Sequence, residues 1–124
     1  MVGGEQSLFA SDDPSPFDKQ SCVRRLNDDL RRYGRGGIVV LSAGIAALCI
    51  DEVHDIMEAV RCFEDFNDDN DPYREHDLGV FRHRGERLLW KISYYDKDRC
   101  NASPDPADPR ATSRILTIMF AWEY

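Results

Sequence analysis

Residues 64–79 read EDFNDDNDPYREHDLG and hold the chain's densest set of groups able to bind a cation or move a proton. Seven carboxylates (Glu64, Asp65, Asp68, Asp69, Asp71, Glu75 and Asp77) stand with one imidazole, His76, and one cation, Arg74. Hard cations such as calcium take several oxygen ligands at close spacing, and Asp65, Asn67, Asp69 and Asp71 fall where positions 1, 3, 5 and 7 of an EF-hand loop would. The register then breaks. Asn70 stands where the sharp turn needs glycine, and His76 stands where the bidentate glutamate belongs. No metal ligand is assigned, and the Asp and Asn residues are expected to close turns and cap the preceding helix.

Glu75, His76 and Asp77 are the second candidate. An imidazole oriented by a carboxylate can shuttle protons, and paired carboxylates can bind metal or raise one another's pKa. On extended backbone, however, neighbours point to opposite faces, so His76 would turn away from both acids while Glu75 and Asp77 share a side. Asp96 and His54 are the available third partners. A small metal-dependent enzyme centred on Glu75, His76 and Asp77 therefore stands as the alternative reading. No catalytic residue is assigned. A Cys–His pair would need an activated thiol, and nothing near Cys100, the cysteine in the plainly polar setting, supplies activation. The glycines of GRGG at 34–37 lack the GK[ST] ending of a phosphate loop, so no cofactor is expected.

The elements that must position these groups follow from periodicity. Val23, Leu26, Leu30 and Tyr33 mark one face of a helix over roughly residues 17–33, with Arg24, Arg25, Arg31, Arg32 and then Arg35 assigned to its solvent side. The β-branched Ile38-Val39-Val40 predicts a buried strand, which Ser42-Ala43-Gly44 bends. Residues 45–48 either continue that strand or begin a turn. Val53, Ile56, Val60 and Phe63 predict a second helix over about 51–66. After the acidic loop, residues 79–96 read as a β-hairpin turning at Arg84-Gly85-Glu86. A polar connection over 96–112 leads to SRILTIMFAWEY, whose two apolar faces predict a central strand. The order implies an α+β fold, an antiparallel sheet of about four strands with two helices packed on one face. Residues 1–16 are expected to be a flexible leader and residues 17–124 a single domain.

The chain has 124 residues, a one-domain length, with 42% hydrophobic and 31% charged residues. Its formal net charge of −7 argues against nucleic-acid binding by general electrostatics, since phosphates are held by Lys and Arg. That charge is segregated, net −6 over residues 64–77 and net +4 over residues 19–35. Cys22, Cys49, Cys62 and Cys100 form no CxxC pair and are read as free thiols, buried where they lie beside apolar positions. With no signal peptide and no apolar run of about 20 residues, a cytoplasmic protein without membrane association is expected.

NDDLR at 27–31, GGIVVLSAGIAAL at 36–48, NDPYREHDLG at 70–79, WKISYYD at 90–96, SPDPADP at 103–109 and TSRILTIMFAWEY at 112–124 resemble the bacterial family called domain of unknown function 3768. The resemblance implies a protein carried by plasmids and other mobile elements among accessory and anti-defence genes. It carries no established catalytic residue.

These readings converge on a non-enzymatic inhibitor of a bacterial defence system, anti-CRISPR or anti-restriction. An acidic surface would occupy a basic groove of a protein partner, a CRISPR–Cas effector or nuclease. Its partner-binding residues are Glu64, Asp65, Asp68, Asp69, Asp71, Tyr73, Glu75 and Asp77. A plasmid-maintenance interaction module is a further alternative. Direct nucleic-acid binding by the arginine face ranks lower.

Overall fold

The structure, a computed structural model, describes residues 16–124. The leader expected over residues 1–16 lies outside them except for Pro16, which opens the first helix. A proline suits that place, where its missing N–H would have no partner in any case.

Helix α1 spans Pro16–Tyr33. Val23 and Leu30 are buried as its periodicity predicts, but so are Asn27 and Arg31, while Tyr33 is exposed. The arginine face is thus corrected at Arg31, whose side chain is fully covered. Strand β1 (Ile38–Leu41) follows. In place of a bend at 42–44 and a strand or turn over 45–48, the chain forms a short helix, α2 (Ala43–Ala46), capped by Ser42, whose side chain accepts from the Ile45 N–H. Helix α3 (Ile50–Arg61) buries Val53, Ile56 and Val60 and stops five residues before the expected end at Phe66. Phe63 and Phe66 pack against the core from the non-helical chain beyond it.

Strands β2 (Leu78–His83) and β3 (Glu86–Tyr95) form the hairpin, turning through Arg84 and Gly85 at φ of 52° and 82°. Two positive φ values suit the right-handed twist of the flanking strands. Strand β4 (Ser113–Phe120) completes a sheet of order β1-β4-β3-β2. Both β2–β3 and β3–β4 are antiparallel, whereas β1 runs parallel to β4, with Val39 opposite Leu116 and Val40 opposite Thr117. The expected antiparallel sheet of about four strands thus holds in two of its three pairings, and the parallel β1–β4 pair makes it mixed. Helices α2 and α3 and the acidic loop carry the chain across the sheet from β1 to β2. That crossover leaves the slot beside β1 for β4 to fill. The edge position of β1 overturns its buried reading, with Ile38, Val39 and Val40 at 42%, 36% and 39% exposure.

The core lies on one face of the sheet. Leu30 of α1, Ile45 of α2, and Ile56 and Val60 of α3 meet Leu88, Trp90 and Ile92 of β3 and Leu116 and Ile118 of β4. Alternation along the strands puts all these sheet residues on the same side. Gly79 on β2 is part of this packing, because a Cβ there would lie 2.3 Å from Trp90 Nε1. The thiols are free as expected, but Cys22, Cys49 and Cys62 are not buried. Cys49, Cys62 and Cys100 are exposed and Cys22 is partly covered, and all four are free.

Candidate functional site

The acidic loop leaves α3 at Cys62 and reaches β2 at Leu78. Its backbone is held by its own amides. Asn67 Oδ1 accepts from the N–H groups of Asp69 (2.8 Å) and Asn70 (3.0 Å), and Asn70 Oδ1 accepts from the Asn67 N–H (2.8 Å). Asn70 Nδ2 donates to the Asp65 carbonyl at 2.6 Å. The turn-closing role expected of these residues is the one they perform. Asp71 is different. It is 5% exposed, and its Oδ1 accepts from the N–H groups of Glu75 (3.1 Å) and His76 (3.0 Å). Those bonds pin a segment in which Arg74 and His76 adopt φ of 56° and 55°.

His76 sits between two carboxylates, and neither is Glu75 or Asp77. Its Nδ1 lies 2.9 Å from Asp28 Oδ1 on α1, and its Nε2 lies 3.5 Å from Asp71 Oδ2. The ring stacks on Phe66, with centroids 3.7 Å apart and planes within 6°. Asp28 also accepts from Arg31 Nη2 at 3.1 Å. The other terminal nitrogen, Nη1, donates to the carbonyls of Val60, Arg61 and Phe63 at 2.9–3.1 Å. A cation is thus placed at the negative end of the α3 dipole, where it satisfies carbonyls that have no partner within the helix. The guanidinium also lies over the rings of Phe66 and Trp90, 5.4 and 5.3 Å from their centroids. Burial holds the Arg31 pKa below the usual guanidinium value, and the bond to Asp28 acts against that shift.

Glu75 and Asp77 belong to a second polar group. Tyr94 Oη donates to Glu75 Oε1 at 2.9 Å and accepts from Asn27 Nδ2 at 2.8 Å. Asn27 also donates to the Glu75 carbonyl, and its Oδ1 accepts from Arg114 Nε at 2.7 Å. Burial pushes the Tyr94 hydroxyl well above the usual phenol range, so it acts as a hydrogen-bond bridge and keeps its proton. Burial, reinforced by the charge of Glu75, raises the Asp77 carboxyl above the usual carboxylate range. Neither proposed third partner joins. Asp96 accepts from the N–H groups of Cys100 and Asn101 in its own turn, and His54 is exposed on α3. Among the described residues, no three His, Cys, Asp or Glu side chains are grouped so as to hold a metal ion.

Of the eight residues expected to bind a partner, Glu64, Asp65, Asp68, Asp69 and Tyr73 are exposed. Asp71 is buried, and Glu75 and Asp77 are half-buried, with Glu75 bonded into the network just described. A cavity of about 410 Å³ opens beside the exposed set, lined by Arg24, Phe66, Asp68, Asp71, Arg74 and His76. Arg24 reaches the Arg74 carbonyl (3.2 Å), and Arg74 reaches Asp68 (3.2 Å). Part of the segregated charge is therefore compensated inside the fold. Sequence reasoning missed Asn27, Asp28, Phe66 and Arg114. Asn27 carried a signal, because position 27 is one turn beyond Val23 on the face that must go inward.

Fold and site together define a small α+β protein with one helical layer on a four-stranded sheet and an acidic loop folded around a buried arginine and a histidine. The chain belongs to the family described as "Protein of unknown function (DUF3768)", which matches residues 41–123. Helix α1, which supplies Asp28 and Arg31 to the loop, precedes the matched segment. No curated protein and no solved structure matches the chain. Among the described residues, no helix is long and apolar enough to cross a membrane.

Proposed function

We infer that this is a non-catalytic binding protein that presents its 64–73 loop to a basic groove of a protein partner. The partner class is a nucleic-acid-handling complex of bacterial defence, a CRISPR–Cas effector or a restriction nuclease, which the loop would inhibit by occupying the groove. The observation that carries the reading is the display of Glu64, Asp65, Asp68, Asp69 and Tyr73 on a backbone already fixed by Asn67, Asn70 and Asp71. A pre-organised loop loses little conformational entropy on docking. Carboxylates with one weak ion pair among them keep their field available for steering. The enzyme alternative has less support, because His76 faces Asp28 and Asp71 while Glu75 is bonded to Tyr94.

The test is DNA cleavage by a panel of purified CRISPR effectors and restriction nucleases with the chain added. At least one should be inhibited, more weakly at high salt. Changing Glu64, Asp65, Asp68 and Asp69 together to Asn or Gln should slow association roughly 10-fold or more. Those side chains are exposed, so the variant should melt like the parent. Absence of inhibition across the panel, together with unimpaired defence in cells expressing the chain, would overturn the reading.

A further inference from the structure

Two hydrogen-bond acceptors stand side by side in the cavity next to the acidic loop. Asp71, only 5% exposed, lines that cavity together with His76. Its Oδ1 is taken by the N–H groups of Glu75 and His76. Its Oδ2 receives no hydrogen bond from the described residues and lies 3.5 Å from His76 Nε2. The imidazole supplies the second acceptor. A carboxylate only accepts, so the 2.9 Å contact with Asp28 Oδ1 places a proton on His76 Nδ1. In the neutral ring that leaves Nε2 with a lone pair. The 3.5 Å between Nε2 and Asp71 Oδ2 is well beyond the ~2.8 Å of a charge-assisted hydrogen bond. A carboxylate oxygen and an imidazole nitrogen therefore both lack a donor, whereas polar groups so far covered are ordinarily satisfied.

The cations around the cavity are already engaged. Arg74 pairs with Asp68 at 3.2 Å, the two side chains 68% and 88% exposed. Arg24 donates to the Arg74 carbonyl and to Ser21 Oγ. Within the lining, Arg24 and Arg74 offset Asp68 and Asp71. The surrounding loop sets the sign of the field. Residues 64–77 carry a net charge of −6, with Glu64, Asp65 and Asp69 exposed, so a cation is favoured there.

Building on the basic-groove reading, we propose that this cavity receives an arginine side chain of the partner, whose guanidinium donates to Asp71 Oδ2 and His76 Nε2 together. A guanidinium is planar, carries its N–H donors in a rigid fork and has no acceptor of its own, which suits two neighbouring acceptors. It is also more weakly hydrated than an ammonium, so entry into a cavity partly lined by the Phe66 ring costs it less than it costs a lysine. The volume of about 410 Å³ admits one such side chain. Both acceptors are held before binding. Asp28 grips the imidazole by Nδ1, Phe66 stacks on it with planes within 6°, and two backbone N–H groups fix Asp71. Little order is therefore lost when the guanidinium arrives.

The test is an NMR titration of the full chain with N-acetyl-argininamide, N-acetyl-lysinamide and L-arginine. Argininamide should shift the imidazole signals of His76 and the ring signals of Phe66 to saturation, and lysinamide should bind roughly 5-fold more weakly or worse. Asp71→Asn keeps an oxygen for the Glu75 and His76 N–H groups and puts an N–H donor where Oδ2 stood. It should weaken argininamide binding about 10-fold or more. Asp68→Arg and Asp69→Arg change the charge equally, but of the two only Asp68 lines the cavity, so the first should cost more affinity than the second. That pair decides the matter if Asp71→Asn disturbs the loop. Shifts that fail to saturate by about 50 mM overturn the proposal. So does an equal response to lysinamide, or an Asp71→Asn variant that folds and binds like the parent. Tighter binding of L-arginine than of argininamide would assign the cavity to the free amino acid and overturn the partner contact. No nuclease enters the titration. A chain that inhibits a nuclease yet binds no argininamide would overturn the arginine contact alone, and one that binds argininamide yet inhibits nothing would overturn the basic-groove reading beneath it.

Discussion

Arg31→Met should be among the most damaging single changes in this protein. The native side chain is fully buried, ion-paired with Asp28 at 3.1 Å and donating to the carbonyls of Val60, Arg61 and Phe63. Methionine fills much of the volume but returns none of those bonds. Asp28 is left with His76 alone, and the carbonyls at the end of α3 face an apolar side chain. Removing one partner of a buried, hydrogen-bonded ion pair costs about 3–5 kcal/mol, and about 4 kcal/mol is expected here. In a domain of this size that corresponds to a loss of roughly 15 °C in Tm. Against a typical stability of about 5–15 kcal/mol it removes a quarter or more. Urea unfolding followed by far-UV circular dichroism and by tryptophan emission measures it directly, because Trp90 is buried beneath the guanidinium. Arg31→Lys keeps a charge but loses the planar fork that serves Asp28 and the carbonyls together, so it should fall between parent and methionine variant. Arg25→Ala, on the exposed side of the same helix, should stay within about 0.5 kcal/mol of the parent. An Arg31→Met variant losing less than about 1 kcal/mol would refute the argument that this guanidinium holds α1, α3 and the loop together.

Two further outcomes are expected. Gly79→Ala should destabilise by about 1–3 kcal/mol, because its Cβ would lie 2.3 Å from Trp90 Nε1 and 2.9 Å from Phe63 Cε1 in a packed core; an unchanged urea midpoint would contradict the packing. Asp77→Asn should stabilise the protein at neutral pH. Burial raises this carboxyl above the carboxylate range, so the folded state binds the proton more tightly than the unfolded state. The cost of the charged form is absent in acid and appears as pH rises through the raised value. The Tm advantage of the variant should therefore shrink as pH falls through the carboxylate range, and an advantage independent of pH would assign it to another cause.

Much of the secondary structure was legible. The stripes Val23–Leu30 and Val53–Ile56–Val60, the hairpin around Gly85 and the two-faced β4 are all local patterns, and each corresponds to an element. The site was less so. Seven acids and a histidine in sixteen positions drew attention to the right loop, and the break in EF-hand register at His76 argued correctly for turns at Asn67 and Asn70. What the local pattern misread was direction. Asp71 looked like part of an outward acidic surface and is buried, because its carboxylate binds the backbone N–H groups of Glu75 and His76.

By itself, then, the sequence determined where the two long helices and the four strands lie, where the charge accumulates and which loop is worth attention. Apolar periodicity is a property of neighbours along the chain and survives without a fold. Only the tertiary structure decided that β1 lies at an edge and parallel to β4, that Arg31 leaves the solvent face, and that His76 is held by Asp28 rather than by the acids on either side of it. A charged side chain goes inward only where distant groups replace its water. Here those groups are carbonyls 29–32 residues from Arg31 and a carboxylate 48 residues from His76. Such compensation is set by packing between elements, which no local pattern of residue types records.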